Sequence, residues 1–199
     1  MTGMSVAPAA ARERLVATSY DLFARRGIRD VGVNEIIATA KVAKATFYNH
    51  FRTKDDLVLA FLERREETWV YGLVVDGIRA RADNPEDQLL AIFDVFHDWF
   101  SRPDEFEACS YVNILLEMGP GHPLGRACLR YLGGLRQFLG GLATSAGLRD
   151  PEEFAWSWHI LMKGSIVAAA EGDLRAAERA KDMGRDLIER FRTPVDSLG

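Results

Sequence analysis

The sequence lacks what would span a membrane, close a metal site or staple a secreted fold. No run of about 18 uncharged apolar residues occurs in its 199 positions, so no membrane partner is expected. Only two cysteines are present, Cys109 and Cys128, and they form no C-x-x-C pair; reduced, buried thiols are expected in preference to a disulfide. The four histidines, at 50, 97, 122 and 159, have no metal-ligand spacing, so neither a metal nor a cofactor is expected. No G-x-S-x-G, H-E-x-x-H, P-loop or dinucleotide fingerprint occurs. The adjacent acids Glu66-Glu67 and Glu152-Glu153 point different ways on helices and read as solvated faces, so no enzyme is expected. The first eleven residues carry no basic stretch ahead of an apolar run, and read as a tail before a helix rather than an export signal. A cytoplasmic protein is the expectation.

What is present is helical patterning and an uneven charge. Hydrophobic residues at 48% against 27% charged place the chain among globular rather than disordered proteins. The net charge of −4 averages two unlike parts. Residues 1–54 hold nine Lys and Arg against four Asp and Glu, a net of +5, while residues 55–199 hold sixteen against twenty-five, a net of −9. A basic head on an acidic body suits phosphate binding, which needs local rather than overall positive charge.

No segment alternates as a strand, and about nine helices are predicted, giving an all-α fold. The first runs from about Ala9 to Arg26, with Leu15, Ser19, Leu22 and Phe23 on one face, and ends at Gly27. Short helices follow at Val33–Ala40 and Lys44–His50, joined by Lys41-Val42-Ala43. Thr53, with Asp55 and Asp56 behind it, caps a helix reaching about Arg81, with a kink or early end near Gly72. The next, Pro85 to about Ser101, carries one stripe of Leu89, Phe93, Phe96 and Phe100 and a second of Ile92, Val95 and Trp99, the pattern of burial on two sides. Further helices are expected over about Phe106–Met118, Pro123–Ala146, Pro151–Gly172 and Leu174–Phe191.

Two short amphipathic helices on a tight turn fit a helix-turn-helix. The wording of the run from Val33 to Lys54, with Leu22-Phe23-Ala24-Arg25-Arg26-Gly27 before it and Asp55-Asp56-Leu57 after it, resembles the DNA-binding signature of the TetR family of transcriptional regulators over roughly residues 12–62. The resemblance implies a three-helix DNA-binding domain at 1–54, continuing into a connecting helix, and a helical ligand-binding and dimerisation domain at 55–199. It implies that Lys44, Ala45, Thr46 and Asn49 face bases or nearby backbone, and that Tyr48, His50 and Lys54 contact phosphates. The chain departs from the family pattern in three places. Lys41 stands where the turn usually has Gly, and Gly32 and Ala43 stand where the short helices often have Ser or Thr caps, each missing cap costing about 1 kcal/mol.

The implied function is that of a repressor, released from a palindromic double-stranded operator by a small, largely apolar effector. In the body, Trp69, Phe93, Phe96, His97, Phe100, Tyr111, Leu115, Met118, Trp158 and Met162 are candidate pocket residues, although aromatic stripes at helical spacing also build plain cores. Gly164, Ala168 and Gly172 form one row of small residues, and Ala176, Ala180 and Gly184, with Leu187, form another. Such rows fit either close packing within one chain or the four-helix interface of a homodimer, which is the family's layout.

Overall fold

In the computed structural model the described residues are 8–102, 106 and 108–192. The expected N-terminal tail lies almost wholly outside them. The described residues are helical throughout, apart from turns and one isolated bridge between Leu148 and Arg192. The helices are α1 (Pro8–Arg26), α2 (Val33–Thr39), α3 (Lys44–His50), α4 (Lys54–Arg65), α5 (Asp76–Arg79), α6 (Pro85–Phe100), α7 (Ser110–Met118), α8 (Pro123–Ser145), α9 (Pro151–Ala170) and α10 (Ala176–Phe191). Between α4 and α5 the chain winds as a π-helix, Glu66–Val75, so the irregularity expected near Gly72 takes the form of a wider helix. Counting α4, this segment and α5 as one helical run gives nine. Helix α7 begins at Ser110 rather than about Phe106, because Ala108 holds a left-handed φ of 56° that a right-handed helix cannot accommodate.

The chain forms two compact units, Met1–Glu66 with Ser110–Arg130, and Glu67–Cys109 with Tyr131–Gly199. In the first, α1 packs on α2, α3 and α4. Its buried side chains include Leu15 and Phe23 of α1, Ile36 of α2, Phe47 of α3 and Leu57 and Phe61 of α4. Each lies at helical spacing from an apolar neighbour, which is why short segments with little helical propensity of their own settle as helices here. Tyr20 and Phe23 both meet Phe61, at ring separations of 5.3 and 6.2 Å.

The second unit is built on aromatic packing. Helix α6 is capped by the Asn84 side chain, which accepts from the Asp87 N–H at 2.9 Å, and it buries Leu89, Ala91, Ile92, Phe93, Val95, Phe96 and Trp99. That is the wide buried arc expected of its two stripes. Helix α10 packs on both α6 and α9. Trp158 of α9 stacks on Phe154 at 5.2 Å and meets Phe93 at 5.3 Å. Gly184 lets α10 come this close, since a Cβ there would stand 2.8 Å from the Trp158 ring and 3.2 Å from Phe93. His159, 2% exposed, sits in the same unit. Burial above all, then the charges of Lys163 and Arg136, push its imidazole down to about 3, so it is neutral at pH 7.

Candidate nucleic-acid interface

Helices α2 and α3 are seven residues each, joined through Ala40-Lys41-Val42-Ala43. The turn is made by Lys41 at φ 53°, a left-handed conformation that costs a non-glycine residue about 1–2 kcal/mol. Neither short helix has a side-chain cap, at Gly32 or at Ala43. The α3 register is fixed instead by burial of Phe47 and, just past its end, Phe51, with ring centroids 6.0 Å apart. The Arg12 guanidinium lies 5.6 Å from the Phe51 ring centroid. Arg26 ties α1 to α2 through Glu35 at 2.5 Å and also donates to the Asp30 carbonyl at 2.8 Å.

With Phe47 turned inward, Lys44, Ala45, Tyr48 and Asn49 lie together on the exposed face of α3, and Thr46 and His50 flank it half-buried. Tyr48 stays 48% exposed while its ring meets Phe47 edge-on at 5.2 Å, so its hydroxyl is carried outward on a braced ring. Lys41 and Arg52 are exposed nearby in the chain. The face offers cations, a hydroxyl and an amide on a helix held rigid from behind, which suits hydrogen bonding to phosphates and base edges. At the start of α4, Thr53 and Asp56 form a reciprocal capping box, with contacts of 3.1 and 2.9 Å. Lys54 differs from the rest of the expected set. It is half-buried, and its ammonium donates to the carbonyls of Ile28 at 2.8 Å and Val31 at 3.2 Å, which leaves one of its three protons for a phosphate.

The segment Leu15–Phe61 matches the family described as "Bacterial regulatory proteins, tetR family" (residues 15–61). The repressor NemR of Escherichia coli K12 is 29% identical over 107 residues, which cover 54% of this chain and 53% of NemR. The chain thus spans about half the length of that curated relative. The activator FasR of Mycolicibacterium smegmatis is 32% identical over 94 residues, 47% of this chain and 42% of FasR. A solved TetR-family transcriptional regulator from Streptomyces coelicolor superposes with a TM-score of 0.84 at 27% identity, covering 93% of this chain and 97% of that one. Residues 15–61 thus match the tetR family, and the fold as a whole is similar to that of a solved TetR-family regulator. Those relatives are transcriptional regulators, not enzymes. Among the described residues no helix is long and apolar enough to cross a membrane.

The candidate pocket residues are not all brought together. Trp69, Phe93, Phe96, Trp158 and Met162 belong to one buried cluster of the second unit, with Phe100 packed against it. Trp69 meets Trp99 at 5.1 Å and Phe96 at 6.0 Å. His97 is exposed, one position beyond the buried arc of α6. Tyr111, Leu115 and Met118 belong to the first unit, where the buried Tyr111 hydroxyl donates to the Leu62 carbonyl at 3.4 Å. An open groove of about 430 Å³ in the second unit is lined instead by residues such as Gly133, Arg136, Gly140, Glu152 and Trp156, with Arg136 stacked 3.9 Å over the Trp156 ring.

The small-residue rows of α9 and α10 do come together. Gly164, Ala168, Ala176 and Ala180 line a groove of about 320 Å³ edged by Ile160, Leu161 and Met183. Ala176, Ala180 and Gly184 are buried within the chain itself, Leu187 is half-buried and Gly172 is exposed. Among the large apolar groups left outside are Ile160 at 65%, Val167 at 56% and Met183 at 59% exposure, none of which the spacing of small residues signals.

Proposed function

We propose that this chain is a sequence-specific DNA-binding regulator of transcription, a repressor that leaves a palindromic operator when a small, largely apolar effector binds. The observation that carries the reading is the exposed face of α3, with Lys44, Ala45, Tyr48 and Asn49 aligned over buried Phe47 and Phe51. Lys44, Ala45, Thr46 and Asn49 read bases or the adjoining backbone, while Tyr48, His50 and the remaining proton of Lys54 hold phosphates. Residues 1–54 are the DNA-binding part, and 55–199 carry effector binding and dimerisation. The +5 charge of residues 1–54 supports this division. Repression is favoured over activation because the relative matched over the longer stretch is a repressor. Such a regulator works in the cytoplasm, where its DNA is.

The homodimer forms through the α9–α10 groove, covered by the same groove of a second copy. An apolar cleft edged by Ile160, Leu161 and Met183, with exposed Val167 also on α9, supports a self-complementary contact. Two copies then present their α3 helices to successive major grooves about 34 Å apart. The effector acts on the aromatic second unit, with Trp69, Phe93, Phe96, Phe100, Trp158 and Met162 as the apolar wall, and it releases DNA by its differential affinity for the bound and free dimer.

The test is selection of duplexes from a randomised library at moderate salt, followed by titration of the winner across salt. Enrichment of a two-fold-symmetric site, with binding that weakens steeply as salt rises, is expected. Enrichment of nothing, or salt-independent binding, contradicts the reading. Light scattering tests the dimer: Ile160→Glu, exposed in the single chain, is expected to give a folded monomer, and an unchanged dimer mass removes the groove as the interface.

A further inference from the structure

The segment joining α1 to α2 is gripped from two sides by charges of opposite sign. The Glu117 carboxylate of α7 accepts the backbone N–H of Ile28 at 3.0 Å and of Arg29 at 2.6 Å. The Lys54 ammonium at the head of α4 donates to the Ile28 carbonyl at 2.8 Å and the Val31 carbonyl at 3.2 Å. An anion therefore holds the amides of this segment and a cation holds its carbonyls, each matching the polarity of the peptide group it meets. Gly27 makes the approach of Glu117 possible. It sits at φ 78°, and a Cβ there would stand 3.1 Å from the nearer carboxylate oxygen. The space among Phe23, Gly27, Phe61, Ile114 and Glu117 is only about 20 Å³, so α7 is seated close against this corner. The next residue after Val31 is Gly32, from which α2 starts, and α2 packs on α3.

We propose that Glu117 is a positioning residue for DNA recognition: together with Lys54 it fixes the α1–α2 segment, and so fixes the pitch at which α3 is presented. The proposal rests on the DNA-binding reading above. Glu117 reaches peptide groups rather than DNA, so its removal is expected to weaken binding without altering which sequence is preferred.

The experiment uses the full chain, its Glu117→Gln and Glu117→Ala variants, and the duplex selected by the wild type. Affinity across salt, the unfolding midpoint and the amide proton signals of Ile28 and Arg29 are measured together. Glu117→Ala is expected to bind about tenfold more weakly, the loss of roughly one charge-assisted hydrogen bond, with Glu117→Gln between it and the wild type. The salt slope and the selected consensus stay those of the wild type, the Ile28 and Arg29 amide signals move upfield, and the Glu117→Gln midpoint stays near the wild-type value. Unchanged affinity in both variants overturns the proposal. So does a changed consensus, which would make Glu117 a reader of bases, or a midpoint that falls in step with affinity in both variants, which would make it a purely structural residue. A wild type that enriches no duplex overturns the underlying reading, and the proposal with it, before any variant is compared.

Discussion

The helix-turn-helix and the aromatic unit hold their helices by different means. Helices α2 and α3 are seven residues each, lack side-chain caps and are joined through a left-handed lysine. Nothing local favours them, since isolated helices of that length do not form in water. They stand because Ile36, Phe47 and Phe51 are buried, and because the loop before them is braced by Glu117 and Lys54. Helix α6 has a capping asparagine, a proline in its first turn and seven buried residues of its own. The lesson is that a recognition helix anchored by one or two side chains has the rest of its surface free for polar groups. A helix such as α6, buried over most of its circumference, has little surface left to read anything.

The sharpest way to break this comparison is to remove an anchor. Phe47→Ala is expected to cost about 3–5 kcal/mol, a loss read from chemical unfolding. A loss below about 1 kcal/mol would show that caps and propensity, not the anchor, hold α3.

The second unit has a weakness of its own at His159. Its pKa is lowered on folding, from 6.5 to about 3, so the unfolded chain binds a proton that the folded chain refuses. The stability that depends on neutral His159 is therefore complete above pH 6.5 and falls as the pH drops toward 3. The slope is up to roughly 1.4 kcal/mol per pH unit. Unfolding free energies of the wild type and His159→Leu between pH 7 and about pH 4.5 check this, with a shallower slope expected in the variant. Parallel slopes would remove His159 as the cause.

The smallest expected effects are gains. Ala43→Ser supplies the missing cap of α3 and is expected to add about 1 kcal/mol. Lys41→Gly relieves the left-handed φ and is expected to add a few tenths to about 1 kcal/mol, part of the relief being offset by the freer unfolded chain. If neither variant raises the unfolding midpoint, the missing cap and the left-handed lysine cost the fold nothing, and the tertiary anchors alone decide these helices.

Much of this was legible in the sequence. Period-3.6 burial, with Pro85, Pro123 and Pro151 at helix starts, locates the helices to within a few residues, and the run from Lys44 to His50 marks both the buried and the exposed side of α3. What was not legible involves distant partners. Glu117 lies 88 and 89 positions from the amides it holds, and no local pattern announces it. Lys54 reads locally as a phosphate ligand, yet most of its hydrogen-bonding capacity goes to carbonyls 26 and 23 positions earlier. His97 falls four residues after Phe93, but the packing of α6 ends its buried arc one position short. The small residues of α10 show close approach without saying to what, and for Gly184 the answer is Trp158 and Phe93 of the same chain.

The central claim, that the exposed face of α3 reads operator DNA, is tested most directly by repeating the duplex selection with Asn49→Ala beside Tyr48→Phe. Asn49→Ala is expected to relax or change the preferred base at one position in each half-site, at about 1–3 kcal/mol of discrimination, because an amide on this face pairs with base edges. Tyr48→Phe is expected to keep the wild-type consensus and bind it more weakly, because the role proposed for its hydroxyl is to hold a phosphate. Wild-type consensus and affinity in both variants would contradict the claim.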